Sequence, residues 1–193
     1  MARADRYRRC GSRALEQRQP PHSAAGRALA GGWCPSISAM TTPTVGRAAP
    51  AIVLQDQTGA SVNVKTAHKG RRVLVFFYPK ANTPGCTTQA CGLRDIADQI
   101  GDTVIIGISP DTPTRQAHFD EKFSLGFTLL ADVDHAVAEA YGVWVEKSMY
   151  GRKYMGVQRS AFLIDEKGKI SHAWPKISPK DTPTNLLRAL SES

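Results

Sequence analysis

Six apolar residues in a row, Val73-Leu74-Val75-Phe76-Phe77-Tyr78, run straight into Pro79. The run has no polar alternation, and its β-branched and aromatic side chains suit a strand covered on both faces, as in a parallel sheet. Proline lacks a ladder donor and ends the strand. A strand covered on both faces needs helices on either side, so this stretch already points to a layered α/β domain.

The order of the remaining elements agrees. Ala51–Leu54 reads as a short strand, Asp56-Gln57-Thr58-Gly59 as a turn, and Ala60–Val64 as the returning arm of an N-terminal hairpin. Thr103–Ser109 is a second buried strand. Asp111-Thr112-Pro113 opens a helix, with a cap residue and proline just inside, that carries Ala117, Phe119 and Phe123, with Gly126 beyond its end. Phe127–Leu130 is a third strand, and Asp134 is placed to cap a short helix over 135–141, closed by Gly142. The stretch 144–158 reads as mixed and flexible. Residues 159–165 form a strand, Glu166-Lys167-Gly168-Lys169 a hairpin turn, and Ile170–Trp174 its antiparallel return. Thr182-Pro183 begins a last helix with Leu186, Leu187 and Leu190 on its buried side. Parallel strands, then an antiparallel hairpin, then a closing helix is the order of a thioredoxin-like fold, with a central mixed sheet flanked by helices.

Beyond Pro79, Asn82, Thr83, Pro84 and Gly85 are turn and helix-start residues. Ala90, Leu93, Ile96, Ala97 and Ile100 then recur at helical spacing over 89–100. Cys86 therefore falls in the first turn of a helix, at the carboxyl end of a strand, where sites form in open α/β sheets. The first backbone N–H groups of a helix lack internal partners and carry partial positive charge, which favours a thiolate, the nucleophilic form of cysteine. A buried structural cysteine is the competing reading. Cys91 lies five residues on. Along a helix that is a rise of ~7.5 Å and a turn of ~500°, leaving the Cα atoms about 8–9 Å apart, against a limit of about 7 Å for a disulfide. The two sulfurs can bond only if the first turns unwind.

Pro79-x-x-x-Thr83-x-x-Cys86 matches the active-site motif of the peroxiredoxins, and the segment Thr83–Asp95 resembles their Q subgroup, the bacterioferritin comigratory proteins. The resemblance extends from about residue 43 to the C-terminus. It implies a thiol peroxidase that reduces hydrogen peroxide and organic hydroperoxides. Cys86 is then the attacking residue, and Cys91 closes a Cys86–Cys91 disulfide that thioredoxin or a similar dithiol reduces. The backbone amides of Gly85 and Cys86, the Thr83 hydroxyl and Arg159 would stabilise the charge that develops at oxygen, with Pro79 shielding the pocket. Arg159 is chosen because Gly156–Asp165 is similar to the family segment that carries the active-site arginine; otherwise it reads as a surface charge at a strand edge. The resemblance requires no metal or organic cofactor and suggests a monomer. Two alternatives stay open. A thioredoxin-like disulfide oxidoreductase would want two residues between its cysteines, where four stand here. A binding module with inert thiols would use its basic surface.

Composition narrows the field. Of 25 basic and 17 acidic residues in 193, residues 1–39 hold seven Arg and two acids, a charge of +5, which leaves +3 on the rest. A mildly basic domain gives little support to a nucleic-acid partner. No run of 18 apolar residues exists, so no membrane span is expected. Four cysteines are too few for a disulfide scaffold. The histidines at 22, 68, 118, 135 and 172 share no metal-ligand spacing. Residues 1–39, with Cys10 and Cys34, show neither helical nor strand period and read as a disordered basic extension before a domain at 40–193. Translation starting at Met40 is favoured over a transit peptide or a basic arm. The expected location is the cytoplasm, or an organelle if the first 39 residues are a genuine leader.

Overall fold

The computed structural model describes residues 42–149 and 151–192. The expectations for residues 1–39, Cys10, Cys34 and the Met40 start lie outside the described residues. In chain order the elements are β1 (Val53–Asp56), β2 (Ser61–Asn63), α1 (Val64–Ala67), β3 (Val73–Phe77), α2 (Pro84–Asp95) and β4 (Val104–Ser109). There follow α3 (Pro113–Phe123), β5 (Thr128–Ala131), α4 (Ala136–Ala140), β6 (Trp144–Met149) and β7 (Arg152–Val157). β8 (Ser160–Ile164), β9 (Ile170–Trp174) and α5 (Asp181–Ser191) complete the chain. Seven strands make one mixed sheet in the order β2-β1-β5-β4-β3-β8-β9. β3 pairs in parallel with β4 and antiparallel with β8, which puts the apolar run at the centre.

All five residues of β3 are buried. Successive side chains of a strand point to opposite faces, and the core divides accordingly. Leu74, Phe76 and Tyr78 pack with Cys86, Ala90, Leu93, Phe119 and Leu186 under α2, α3 and α5. Val73, Val75 and Phe77 pack on the other face with Val64, Val137, Ala138 and Tyr141. Gly107 of β4 lies between Phe76 and Leu129 in the register. A Cβ there would come within 2.8 Å of both side chains. Gly107→Ala is therefore expected to cost about 1–3 kcal/mol by overpacking, read as a lower urea midpoint at unchanged slope.

Three expectations are corrected. The stretch 144–158, read as mixed and flexible, holds regular strands: β6 and β7 form an antiparallel hairpin in register from Trp144↔Val157 to Met149↔Arg152. The helix after Cys86 ends at Asp95, and a 3-10 turn over Ala97–Gln99 replaces its expected tail. The short helix α4 takes its main cap from Asp132 rather than Asp134. The buried Asp132 carboxylate accepts from Val137 N at 3.1 Å and Ala138 N at 2.7 Å, while Asp134 reaches Ala136 N at 3.3 Å. His135, at φ 64°, turns the chain sharply into the helix and stacks on Trp144 at 3.8 Å. Among the described residues no helix is long and apolar enough to cross a membrane.

Candidate active site

β3 delivers the chain to the site, and a buried polar network holds the turn that follows. The Ala81 N–H donates to Asp111 Oδ2 at 2.6 Å, and the Ser109 hydroxyl donates to the same oxygen at 2.9 Å. Gln116 Nε2 donates to Ser109 Oγ at 2.9 Å and to the Leu130 carbonyl at 3.0 Å. The Tyr78 hydroxyl donates to Gln116 Oε1. Burial pushes the Tyr78 phenol far above its usual range, so it stays a neutral donor. These bonds tie the end of β3 to the end of β4 and to α3. The loop can then turn through Asn82, at φ 59°, and enter α2.

Thr83 is the N-cap of α2 and Pro84 its first helical residue, which places Gly85 and Cys86 at the next two positions. A threonine N-cap usually accepts a bond from one of those amides. Here the Thr83 hydroxyl instead donates to the Lys80 carbonyl at 3.0 Å, and no side-chain cap forms. The first intrahelical bond is Thr87 N–H to the Thr83 carbonyl at 2.9 Å. The Gly85 and Cys86 amides thus precede the helical ladder and point out of its positive end.

Cys86 is 1% exposed. Arg159 Nη2 donates to its Sγ at 3.2 Å. Arg159 comes from the turn before β8, and its backbone is pinned on both sides. Ile177 N donates to the Arg159 carbonyl at 3.1 Å, and Gln158 N donates to the Val143 carbonyl at 2.7 Å. Gly85 leaves room beside it: a Cβ there would crowd Arg159 Nη2 at 3.3 Å and touch Pro179 at 3.5 Å. Arg159 Nη1 donates to Gln89 Oε1. A guanidinium this close can donate to a negatively charged sulfur or oxygen at the site. Cys91 is half-buried further along the same helix, and both cysteines are free. The intact helix holds their Cα atoms beyond bridging distance.

The sequence-predicted residues divide in this way. Cys86, Arg159 and the Gly85 and Cys86 amides converge, Thr83 and half-buried Pro79 flank them, and Cys91 stands off along α2. Sequence reasoning missed Gln89 and Asp111, both buried and both bonded into the site. It also missed Lys147 of β6, whose ammonium donates to the Val157 carbonyl at 2.6 Å. Burial and then Arg159 lower the Lys147 pKa, against the pull of Cys86. The one local signal was Gln89, a polar residue three places past Cys86 on the helix face that also carries Ala90 and Leu93.

A model of the AhpC/TSA family matches residues 45–173. Peroxiredoxin Bcp of Escherichia coli (strain K12) is 48% identical over 149 residues, 76% of this chain and 95% of the relative. Peroxiredoxin Bcp of Bacillus subtilis (strain 168) is 41% identical over 153 residues, 78% of this chain and 97% of the relative. The crystal structure of Peroxidoxin BcpB from Mycobacterium tuberculosis superposes with a TM-score of 0.69 at 31% identity. It covers 78% of this chain and 97% of its own. With these matches over nearly the full length of the relatives, the chain belongs to the AhpC/TSA family: it is a peroxiredoxin of the Bcp type, a thiol peroxidase built on a thioredoxin-like fold.

Proposed function

We propose that Cys86 is the peroxide-attacking residue of this peroxidase and that Cys91 resolves its oxidised form. The observation that carries the reading is the 3.2 Å contact from Arg159 to a buried Cys86 sulfur at an uncapped helix N-terminus. The Cys86 thiolate attacks the terminal oxygen of a hydroperoxide. An S–O bond forms, the O–O bond breaks, and the departing oxygen takes a proton to leave as water or an alcohol. Cys86 is left as a sulfenic acid, oxidised by two electrons. Arg159 and the Gly85 and Cys86 amides face the oxygen on which negative charge grows. The Thr83 hydroxyl donates its one hydrogen bond to the Lys80 carbonyl, so its lone pairs accept the hydroperoxide O–H and steer the terminal oxygen. Pro79 walls the pocket.

In the second half of the cycle the Cys91 sulfur attacks the sulfenic sulfur. An S–S bond forms, the S–O bond breaks, and water leaves. A dithiol protein of the thioredoxin type then reduces the disulfide and is itself oxidised. Both sulfurs lie on one helix of one chain, so the cycle closes within a monomer. The reading places the protein in the cytoplasm, where dithiol reductants keep such thiols reduced.

Cys91→Ser separates the halves. It is expected to leave single-turnover peroxide reduction intact and to block thioredoxin-linked turnover. Unimpaired turnover in that variant removes Cys91 from the cycle. The disulfide also demands unwinding of the first turns of α2, so oxidised protein should show a weaker helical far-ultraviolet signal than reduced protein. Identical spectra, with a mapped Cys86–Cys91 bond, would refute the unwinding.

A further inference from the structure

Beyond Arg159 the hydrogen bonds continue, and they run in one direction. Gln89 Nε2 donates to Thr182 Oγ1 at 3.0 Å, and the Thr182 hydroxyl donates to the Ser178 carbonyl at 3.0 Å. Gln89 is 0% exposed and Thr182 1%, so water offers neither an alternative partner. A hydroxyl has one proton. Once Ser178 holds it, Thr182 can show Gln89 only a lone pair, and the amide must turn its NH₂ toward Thr182. That leaves the amide oxygen facing Arg159. With the amide flipped, its NH₂ would meet the guanidinium donor to donor, and two buried groups would lose partners.

We infer that Thr182, in the first turn of α5, is a positioning residue for peroxide reduction: it sets the orientation of the Gln89 amide, which in turn aims Arg159 at Cys86. The inference rests on the roles proposed above for Cys86 and Arg159. It gives the last helix, 96 residues from the attacking sulfur in sequence, a share in the first chemical step. The same bond joins α5 to a residue lying between the two cysteines. Unwinding α2 for the disulfide breaks it, and Arg159 loses its aim only after its work is done.

The test is a double-mutant cycle on the full chain with hydrogen peroxide as the probe. The rate constant for single-turnover peroxide reduction is measured in wild type, Thr182→Val, Gln89→Glu and the double variant. Valine keeps the shape of threonine and removes the hydroxyl. A carboxylate has two acceptor oxygens and no donor, so it cannot face Arg159 the wrong way. Thr182→Val is expected to slow the reaction by roughly tenfold with Gln89 in place, and by less than about threefold in the Gln89→Glu background. Thr182→Ser restores the rate. Stability is measured in all four proteins beside the rate, and the rate loss is expected in one background only.

Equal rate losses in the two backgrounds overturn the inference. If Thr182→Val does not fold alone, Thr182→Ala takes its place in the same cycle, and the same contrast between the two backgrounds decides. Failure of the underlying reading has a different signature, namely activity that survives Cys86→Ser or Arg159→Ala.

Discussion

Cys86→Ser is expected to abolish peroxide consumption, leaving no more than the rate in protein-free buffer. Serine is close to cysteine in size and fits the pocket that holds a side chain 1% exposed. The fold therefore survives, and the far-ultraviolet spectrum of the reduced protein should not change. What is lost is the nucleophile. A serine hydroxyl does not ionise in this range even beside a guanidinium, and attack on a peroxide oxygen needs an anionic, polarisable atom. The contact from Arg159 then has no charge to favour. The assay is peroxide disappearance with excess dithiol, run beside a spectrum that proves folding. Activity retained in a folded Cys86→Ser protein would move the chemistry to another residue and remove the basis of the proposed cycle.

Arg159→Ala carries the second-largest effect. Removing one preorganised donor from a site of developing negative charge costs roughly 10²–10³-fold in rate, and that is the loss expected here. Any contribution from thiol ionisation and the contribution made in the transition state separate by experiment. Lowering a thiol's pKa raises the ionised fraction but weakens the nucleophile, so ionisation alone cannot supply fast peroxide reduction. At a pH where the variant's thiol has fully titrated, most of the loss should therefore remain. If instead the rate recovers in step with the titration, Arg159 acts on the ground state alone. Arg159→Lys should recover little. Arg159 bonds Cys86 through one terminal nitrogen and Gln89 through the other. A lysine offers a single ammonium and no fork.

The parts of the fold that follow from short-range pattern were legible in the sequence. β3 announced itself by an unbroken apolar run and lies at the sheet centre with every residue buried. Proline in the first turn of α2 and of α3 marked where each helix begins. The closing helix buried the expected Leu186. The hairpin of β6 and β7 did not show itself because its strands pair with each other and stand largely in solvent. Its side chains are mixed on both faces, so no period of two stands out. α4 was misjudged for a related reason. Asp132 and Asp134 are equally plausible caps by composition, and the left-handed turn at His135 decides between them.

In the candidate site, Cys86 was visible from its place at a strand-to-helix turn. Arg159 was visible from its resemblance to a known segment and not from any local periodicity. The bonds that hold these two in place could not be read from the sequence. Gln89 and Thr182 are 93 residues apart, Tyr78 and Gln116 38, and Ala81 and Asp111 30. Each joins elements whose neighbourhood exists only after the sheet has formed. Gln89 was marked only by its place on an apolar helix face, and a threonine in a helical stretch carries no mark that it will be buried and bonded.

While α2 is wound, Ala90 and Leu93 are wholly covered, and both sit within one turn of Cys91. On the proposed cycle, closing the disulfide loosens this region and turns greasy side chains outward. A spent enzyme and a rested one would then differ in texture as well as in redox state. A reductant that grips apolar surface could select the spent form before any sulfur changes hands, and a fluorescent dye that favours such surface would report the same difference in a cuvette.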